Sequence, residues 1–155
     1  MTTIRAWSSD LQNQTFFYGC GELELAPNHH TAAIFRMDNT GKMSWYSVFA
    51  GTAVTEADTT SDRCYGISHN QKKGELTALL QIKMTELRPP YFPNGDFYDL
   101  ALILMDSNGH PIRSVTITWS TSQSLYLTNN ALLNSKNALF FSGWSKAPIA
   151  KKEWR

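Results

Sequence analysis

Two Asp-x-x-Gly turns are the places in this sequence where side chains most resemble a cation-binding loop. They are Asp38 with Gly41 in IFRMDNTGKMSW and, in a second copy further along the chain, Asp106 with Gly109 in ILMDSNGHPIRS. A calcium loop of the EF-hand kind needs further carboxylates and a glutamate at position twelve. Position twelve counted from the two aspartates is Phe49 and Ile117. We therefore predict that each aspartate caps a tight turn and that each glycine supplies a positive φ.

The other side chains with metal-binding or catalytic chemistry do not form a convergent set. The histidines are His29, His30, His69 and His110. Zinc needs converging ligands, whereas these residues are adjacent or fall in separate expected turns. Cys20 lies between two glycines and has no helix N-terminus or neighbouring base to activate its thiol. Because no nucleophile elbow, phosphate loop or dinucleotide fingerprint occurs either, we predict no catalysis, no metal site and no cofactor.

Cys20 and Cys64 are the two cysteines of the chain, and their spacing matches no metal or CxxC redox motif. Both lie in strand-like segments one repeat position apart. The sequence leaves open whether they form a disulfide, which needs Cα atoms within about 7 Å. Asn13 begins the single N-glycosylation sequon, which matters only if the chain enters the secretory pathway.

Composition and charge exclude several classes of function. The chain has 155 residues, of which 42% are apolar, 17% charged and 12% aromatic, and its net charge is +1. This balance gives no electrostatic basis for binding nucleic acid or anionic membrane. The longest apolar run, LALILM, is far shorter than the roughly 20 residues of a membrane-spanning helix. The first residues lack the basic start and apolar core of a signal peptide, yet we expect an extracellular or cell-surface location.

The elements that must position these residues recur along the chain. TFFYGCGE (15–22), LTALLQIK (76–83) and LFFSGWSK (139–146) align at equal spacing on Phe17, Leu79 and Phe141. The spacing of the two turns is wider, because the connection through residues 88–99 is expanded. Short strands joined by Gly and Asn turns predict an all-β fold of antiparallel four-stranded sheets. We expect one all-β unit over residues 1–155, with repeat units at roughly 15–70 and 71–145 and a tail at 146–155.

The segment AAIFRMDNTGKMSWYSVFAG (32–51) resembles the β-propeller repeats of the quinoprotein-like and SBBP-like type. The third and fourth strands of those repeats read apolar-x-apolar-x-x-Asp-x-x-Gly-x-x-x-Trp. Asp38, Gly41 and Trp45 match this pattern, whereas the second copy has Arg113 in place of the tryptophan. The resemblance covers roughly residues 14 to 145. It implies about two blade-like sheets.

Two blades are fewer than the four to eight of a closed propeller. Three arrangements remain open on the sequence alone. The chain is a fragment of a longer propeller, or it assembles into a ring or fibre, or the same strands form a two-sheet β-sandwich.

The expanded loop at residues 88–99, RPPYFPNGDFYD, is the strongest functional feature of the sequence. Its prolines limit the entropy lost on binding, and aromatic side chains beside a few polar groups suit contact with protein or sugar. The candidate partner-binding residues are Arg88, Tyr91, Phe92, Asp96, Phe97 and Tyr98. The alternative is that these aromatic side chains pack over the edge of a sheet and close the core.

These features predict a non-enzymatic β-propeller-type repeat module that serves as a structural or protein-interaction unit. Its expected partners are other copies of itself, or neighbouring repeats or chains that complete the blades in a larger assembly. The alternative is a carbohydrate-binding, lectin-like propeller or sandwich. The resemblance also implies a quinone-dependent enzyme, which is the third of the three functional hypotheses.

Overall fold

A computed structural model of the chain describes residues 3–9, 15–26, 29–49, 60–83, 98–117, 124–127, 132–133, 139–140 and 143–146. Every regular element in these ranges is a β-strand, which confirms the all-β prediction. The strands are β1 (Thr3–Ser9), β2 (Phe16–Ala26), β3 (His29–Asp38), β4 (Met43–Phe49), β5 (Thr60–Ser61), β6 (Arg63–Asn70), β7 (Glu75–Lys83), β8 (Tyr98–Asp106), β9 (Pro111–Ile117), β10 (Ser124–Leu127), β11 (Leu132–Leu133), β12 (Leu139–Phe140) and β13 (Gly143–Lys146).

Two antiparallel sheets of the same topology dominate the structure. The first has the strand order β1-β2-β3-β4, with β5 parallel to the start of β3, and the second has the order β6-β7-β8-β9. Neither sheet closes into a barrel, because β1 and β4 are the ends of one sheet and β6 and β9 are the ends of the other. Two further antiparallel pairs, β10 with β13 and β11 with β12, follow in the chain.

The same two irregularities occur in both sheets. Between the first and second strands, the register shifts from Ile4 to Ala6 in one sheet and from Cys64 to Gly66 in the other. Between the third and fourth strands, it shifts just after Arg36 and just after Leu104. A β-bulge bends a strand and increases its twist, so a shared pair of bulges gives two sheets of the same shape. The chain therefore folds one backbone unit twice.

The hydrogen-bonded register corrects the repeat alignment that the sequence indicated for the second strand. Phe16 lies opposite Asp38, and Glu75 lies opposite Asp106. The residue of β7 equivalent to Phe16 is thus Glu75, whereas the sequence alignment of Phe17 with Leu79 had paired Phe16 with Ala78. The alignment was wrong because it matched apolar runs, and Leu79, which is apolar on the face that otherwise carries Thr77 and Gln81, lets LTALLQI match at more than one offset.

The core lies between the two sheets and is formed by unlike faces of the repeated unit. Its buried members are Tyr18, Cys20, Ala32 and Ile34 from the first sheet and Cys64, Ile67, Leu76, Ala78, Leu80, Ala101, Ile103 and Met105 from the second. Ile34 lies four residues before Asp38, and its equivalent in the second sheet, four residues before Asp106, is Leu102. Neighbouring residues of a strand point to opposite faces, and Ile103 is in the core, so Leu102 faces away from the first sheet. The sheets therefore pack head to tail, as successive members of a stack.

The far side of the second sheet is also covered in part. Leu79 and Leu100 are buried there although they lie outside the core between the sheets. Strand β10 contacts β7 and β8. The pair formed by β10 and β13 is thus a third layer on this face.

A disulfide and an ion pair join β2 of the first sheet to β6 of the second. Cys20 and Cys64 form the disulfide that the sequence left open, with Cα atoms 5.5 Å apart and both residues fully buried. Beside the disulfide, Arg63 Nε lies 2.7 Å from Glu22 Oε2. These links hold the two repeated sheets in one register.

We expect loss of the disulfide to destabilise the stacked sheets substantially. The bond spans a sequence separation of 44 residues, and closing a loop of that length in the unfolded chain contributes about 4 kcal/mol in the chain-entropy model. Denaturant unfolding of the oxidised chain, the reduced chain and the Cys20→Ala/Cys64→Ala variant measures this. Equal midpoints for the oxidised chain and the double variant would contradict the expectation.

Candidate functional site

The first turn (residues 38–42) is organised by one carboxylate oxygen. Asp38 Oδ1 accepts the backbone N–H of Thr40 at 2.9 Å, the hydroxyl of Thr40 at 2.6 Å and the backbone N–H of Lys42 at 3.0 Å. Gly41 donates its N–H to the carbonyl of Asp38 at 3.0 Å and has a φ of +83°. This is the capping role for the aspartate and the positive φ for the glycine that the sequence predicts.

The second turn (residues 106–110) repeats that design. Asp106 Oδ1 accepts the backbone N–H groups of Asn108 and His110, each at 2.9 Å. The other carboxylate oxygen lies 3.0 Å from His110 Nδ1, and Gly109 has a φ of +88°. The two turns are therefore the same structure, formed once in each sheet.

The hydrogen bonds of the turns fix the charge state of both aspartates. Hydrogen bonds from the Thr40 hydroxyl, and then from the Lys42 backbone, lower the pKa of Asp38. Backbone and then side-chain hydrogen bonds from His110 lower the pKa of Asp106. Backbone N–H groups and the Thr40 hydroxyl thus donate to the inner carboxylate oxygens. No group of three or more His, Cys, Asp or Glu side chains in the described ranges is placed to hold a metal ion.

The second turn contacts the indole ring of a tryptophan from the first sheet. Trp45, on β4, donates its Nε1–H to the carbonyl of Ser107 at 3.2 Å. Its ring lies against Gly109, where a Cβ atom would come within 2.8 Å of the ring. Two strand positions on, the Ser47 hydroxyl donates to the carbonyl of Gly109 at 3.0 Å. Glycine is therefore required at position 109 for two reasons: the positive φ, and the space that the Trp45 ring fills.

Arg36 completes the contact from the strand beside Trp45. Its guanidinium lies 3.5 Å above the centre of the Phe16 ring, in cation–π geometry. One of its nitrogens is 3.5 Å from the carbonyl of Ser107, which also accepts the indole N–H. Three side chains of the first sheet thus bind the backbone of a single turn in the second.

Among the residues that the structure describes, no side chain of the second sheet is hydrogen-bonded to the first turn. A Cβ atom at Gly41 would meet no other atom within 4 Å. Asn39, Thr40 and Gly41 are all exposed. At the position equivalent to Trp45, the second sheet carries Arg113, which is also exposed. The two turns therefore have the same geometry, but the Trp45 ring lies on the second turn.

The outer face of the first sheet, the face turned away from the second sheet, exposes large apolar side chains along β4. Tyr46 is 60% exposed and Val48 43% exposed, and both lie on the side of their β3 partners Phe35 and Ala33. Met43, opposite Met37, is 49% exposed on the same side. The equivalent face of the second sheet is the one that the first sheet buries.

An open cavity of about 350 Å³ lies between the edge strands β4 and β9. It is lined by Phe49, Ile103, Pro111, Ile112, Arg113 and Ser114. Ile112 is 56% exposed there. This mostly apolar lining, with one cation and no carboxylate or imidazole, provides no acid–base pair. The cavity can accept an apolar side chain.

Most of the binding residues predicted from the sequence lie outside the described residues. These are Arg88, Tyr91, Phe92, Asp96 and Phe97 in the loop, and Asn13 of the sequon. Tyr98 is the first residue of β8, opposite Lys83. The predicted tail begins at Lys146, the last residue of β13, and its other residues are likewise outside the described ranges.

Sequence reasoning matched Trp45 to a repeat pattern and missed Ser47 and the second role of Gly109. The usable signal is the Trp-x-Ser spacing, which occurs in the first copy at residues 45–47 and is replaced by Arg-x-Val at 113–115. Its meaning depends on which faces of the two sheets meet. That information is not present in the pattern of one repeat.

The fold and the turns define a class, an all-β protein in which one four-stranded antiparallel unit is formed twice and stacked. Comparison of the chain with protein-family models and with curated proteins found no match to either. In the part of the chain that the structure describes, no helix is long and apolar enough to cross a membrane.

We predict that the same substitution has different costs at the two turn glycines. Asparagine tolerates a positive φ better than other residues with a side chain, so backbone strain is similar for Gly41→Asn and Gly109→Asn. Only at Gly109 does the new side chain collide with the Trp45 ring, and such overpacking costs about 1–3 kcal/mol. Chemical denaturation should show Gly109→Asn to be less stable than Gly41→Asn by that margin. Equal losses would mean that the ring is not held against the turn.

We predict that acid weakens the turns. The folded-state pKa of each capping aspartate is lowered, so its contribution to stability is complete above the unfolded pKa of about 3.9. That contribution is lost as the pH falls through the lower folded value. Thermal unfolding between pH 6 and pH 2 should show a smaller acid-induced loss for Asp38→Asn/Asp106→Asn than for the wild-type chain. An identical pH profile for the two proteins would contradict this.

Proposed function

We propose that this chain is a non-enzymatic module of propeller-type repeats, which serves as a structural or protein-interaction unit in a larger assembly. The observation that carries the proposal is the head-to-tail contact between the two sheets, in which Trp45 binds the second turn. When unlike faces pack head to tail, each sheet buries one face and leaves its other face available for a further sheet. The outer face of the first sheet is free along β4, whereas Phe35 and Ala33 of β3 on the same face are each only 4% exposed.

The outer face of the first sheet supports this reading. It corresponds to the face of the second sheet that contributes Leu76, Ile103 and Met105 to the core. On β4 it exposes Met43, Tyr46 and Val48. Contiguous exposed apolar groups on a small protein are typical of interaction surfaces.

The number of sheets explains why the module would work in an assembly. Two full sheets and a third layer containing β10 and β13 are fewer than the four to eight blades of a closed propeller. Further sheets from other copies or from neighbouring repeats would complete a ring or extend a fibre. The buried Cys20–Cys64 disulfide favours an oxidising compartment, which fits an extracellular or cell-surface assembly.

The carbohydrate-binding alternative rests on the aromatic residues of the loop at 88–99. Apart from the first two residues of β8, that loop lies outside the described residues, so the geometry adds no support. A glycan-array signal that disappears in Tyr91→Ala and Phe92→Ala variants would favour this alternative.

We expect the chain to associate through the outer face of its first sheet. Sedimentation over a concentration series should give masses above the 17.5 kDa of one chain. Tyr46→Ser/Val48→Ser should shift the distribution toward the monomer, because it removes the exposed apolar surface. Ile112→Ser is the control, since Ile112 is similarly exposed but lines the cavity between the sheets.

A chain that stays monomeric at every concentration would count against assembly by stacking. Association that Tyr46→Ser/Val48→Ser leaves unchanged would place the contact elsewhere on the molecule.

A further inference from the structure

We infer that the first turn (residues 38–42) is a docking site for a tryptophan on a β-hairpin of a different chain. The inference deepens the proposed function, on which it rests, because it names the surface and the kind of partner. The template for the contact is present within this molecule, where Trp45 of one sheet occupies the second turn of the next.

The second turn shows what an occupant requires. An indole must lie flat on a glycine that has no Cβ, and its N–H must reach the backbone carbonyl two residues earlier, as Trp45 reaches Ser107 at 3.2 Å. A hydroxyl two strand positions later must reach the glycine carbonyl, as Ser47 reaches Gly109 at 3.0 Å. The recognition element is therefore Trp-x-Ser, or Trp-x-Thr, on an edge strand.

The first turn offers the same acceptor geometry. Asn39 and Gly41 are the equivalents of Ser107 and Gly109, in turns closed by the same aspartate hydrogen bonds. The glycine φ values are +83° and +88°. In the first turn, however, the space above the glycine is open and the neighbouring residues are exposed.

The surface around the first turn continues the contact. In the second sheet, the strand that follows the turn, β9, lines a cavity together with Phe49, the last residue of β4. The corresponding strand of the first sheet presents Tyr46 and Val48 on its outer face, 60% and 43% exposed. A hairpin that placed its indole on Gly41 would cover these two side chains. The docking site is thus continuous with the interaction face already described.

A second copy of this chain, which we expect to associate through Tyr46 and Val48, is a poor occupant of the first turn itself. Its own Trp45 is engaged within the molecule. The equivalent position in its second sheet is Arg113, which has no indole to lie on the glycine and adds a positive charge to a turn that already carries Lys42. Like charges placed together oppose association. The partner is therefore a different chain, with a repeat hairpin that carries tryptophan where this one carries Arg113.

Two hairpins of this chain provide a matched pair of probes. A peptide of residues 32–49, closed by a disulfide at its open end, carries Trp45 and Ser47, whereas a peptide of residues 100–117 closed in the same way carries Arg113 and Val115. Each would be titrated into ¹⁵N-labelled full-length protein. We expect the first peptide to shift the Thr40 and Gly41 amide resonances and to bind at least about tenfold more tightly than the second.

The Gly41→Asn variant of the full-length protein is the acceptor control. Its new side chain fills the place of the ring, so binding of the 32–49 peptide should be lost. Equal binding of the two peptides, or binding that Gly41→Asn leaves unchanged, would overturn the assignment. Self-association of the wild-type chain that Gly41→Asn abolishes would make the occupant a second copy, which also overturns it.

A fusion keeps the inference testable if the peptide does not form a hairpin. An additional copy of residues 1–59 placed ahead of the full chain supplies the strands β1 to β4 of a donor sheet, covalently linked to the acceptor. In this fusion Gly41→Asn should become as destabilising as Gly109→Asn is in the natural chain. If it remained nearly neutral, the first turn would not accept an indole. Because both tests report on Gly41, they can fail while association through Tyr46 and Val48 persists.

Discussion

The contact of the Trp45 ring with the backbone of the second turn is the interaction on which the arrangement of the two sheets depends. Apolar burial between the sheets is non-directional, and without the Cys20–Cys64 disulfide and the bonds of Trp45 and Ser47 it would tolerate several relative positions. The indole N–H and the Ser47 hydroxyl, by contrast, each reach one particular carbonyl. Apolar burial thus brings the sheets together, and a few directional bonds select one register between them.

The turn can act as a platform because its own hydrogen bonds are satisfied internally. The capping aspartates accept the N–H groups that the tight bend leaves unpaired. The carbonyls at its tip remain available to another sheet, and the glycine removes the Cβ that would hold a ring away. A motif that looks like a cation loop is therefore a site for a side chain. In the second turn, that side chain is Trp45 of the neighbouring sheet.

Much of the architecture could be predicted from the sequence, and what was missed has identifiable causes. Strand content and both turns follow from residue types, because aspartate and glycine at fixed spacing leave few alternatives. The alignment of β2 with β7 failed because it matched apolar runs, and Leu79 extends the run in β7 onto the face of Thr77 and Gln81. The pairing of Cys20 with Cys64 depends on a bulge and on which faces meet, and neither is encoded locally. The partner-binding residues predicted at 88–97 remain a prediction, since they lie outside the described residues.

The disulfide between β2 and β6 also determines how the molecule carries mechanical load. Tension applied to the two ends of the chain passes directly from Cys20 to Cys64, which are separated by 44 residues in sequence. The intervening chain, which would extend by about 150 Å if pulled straight, bears none of this force. It includes β3, β4 and the first turn. A stacked assembly of such modules could therefore be stretched while the surface that joins one module to the next keeps its shape.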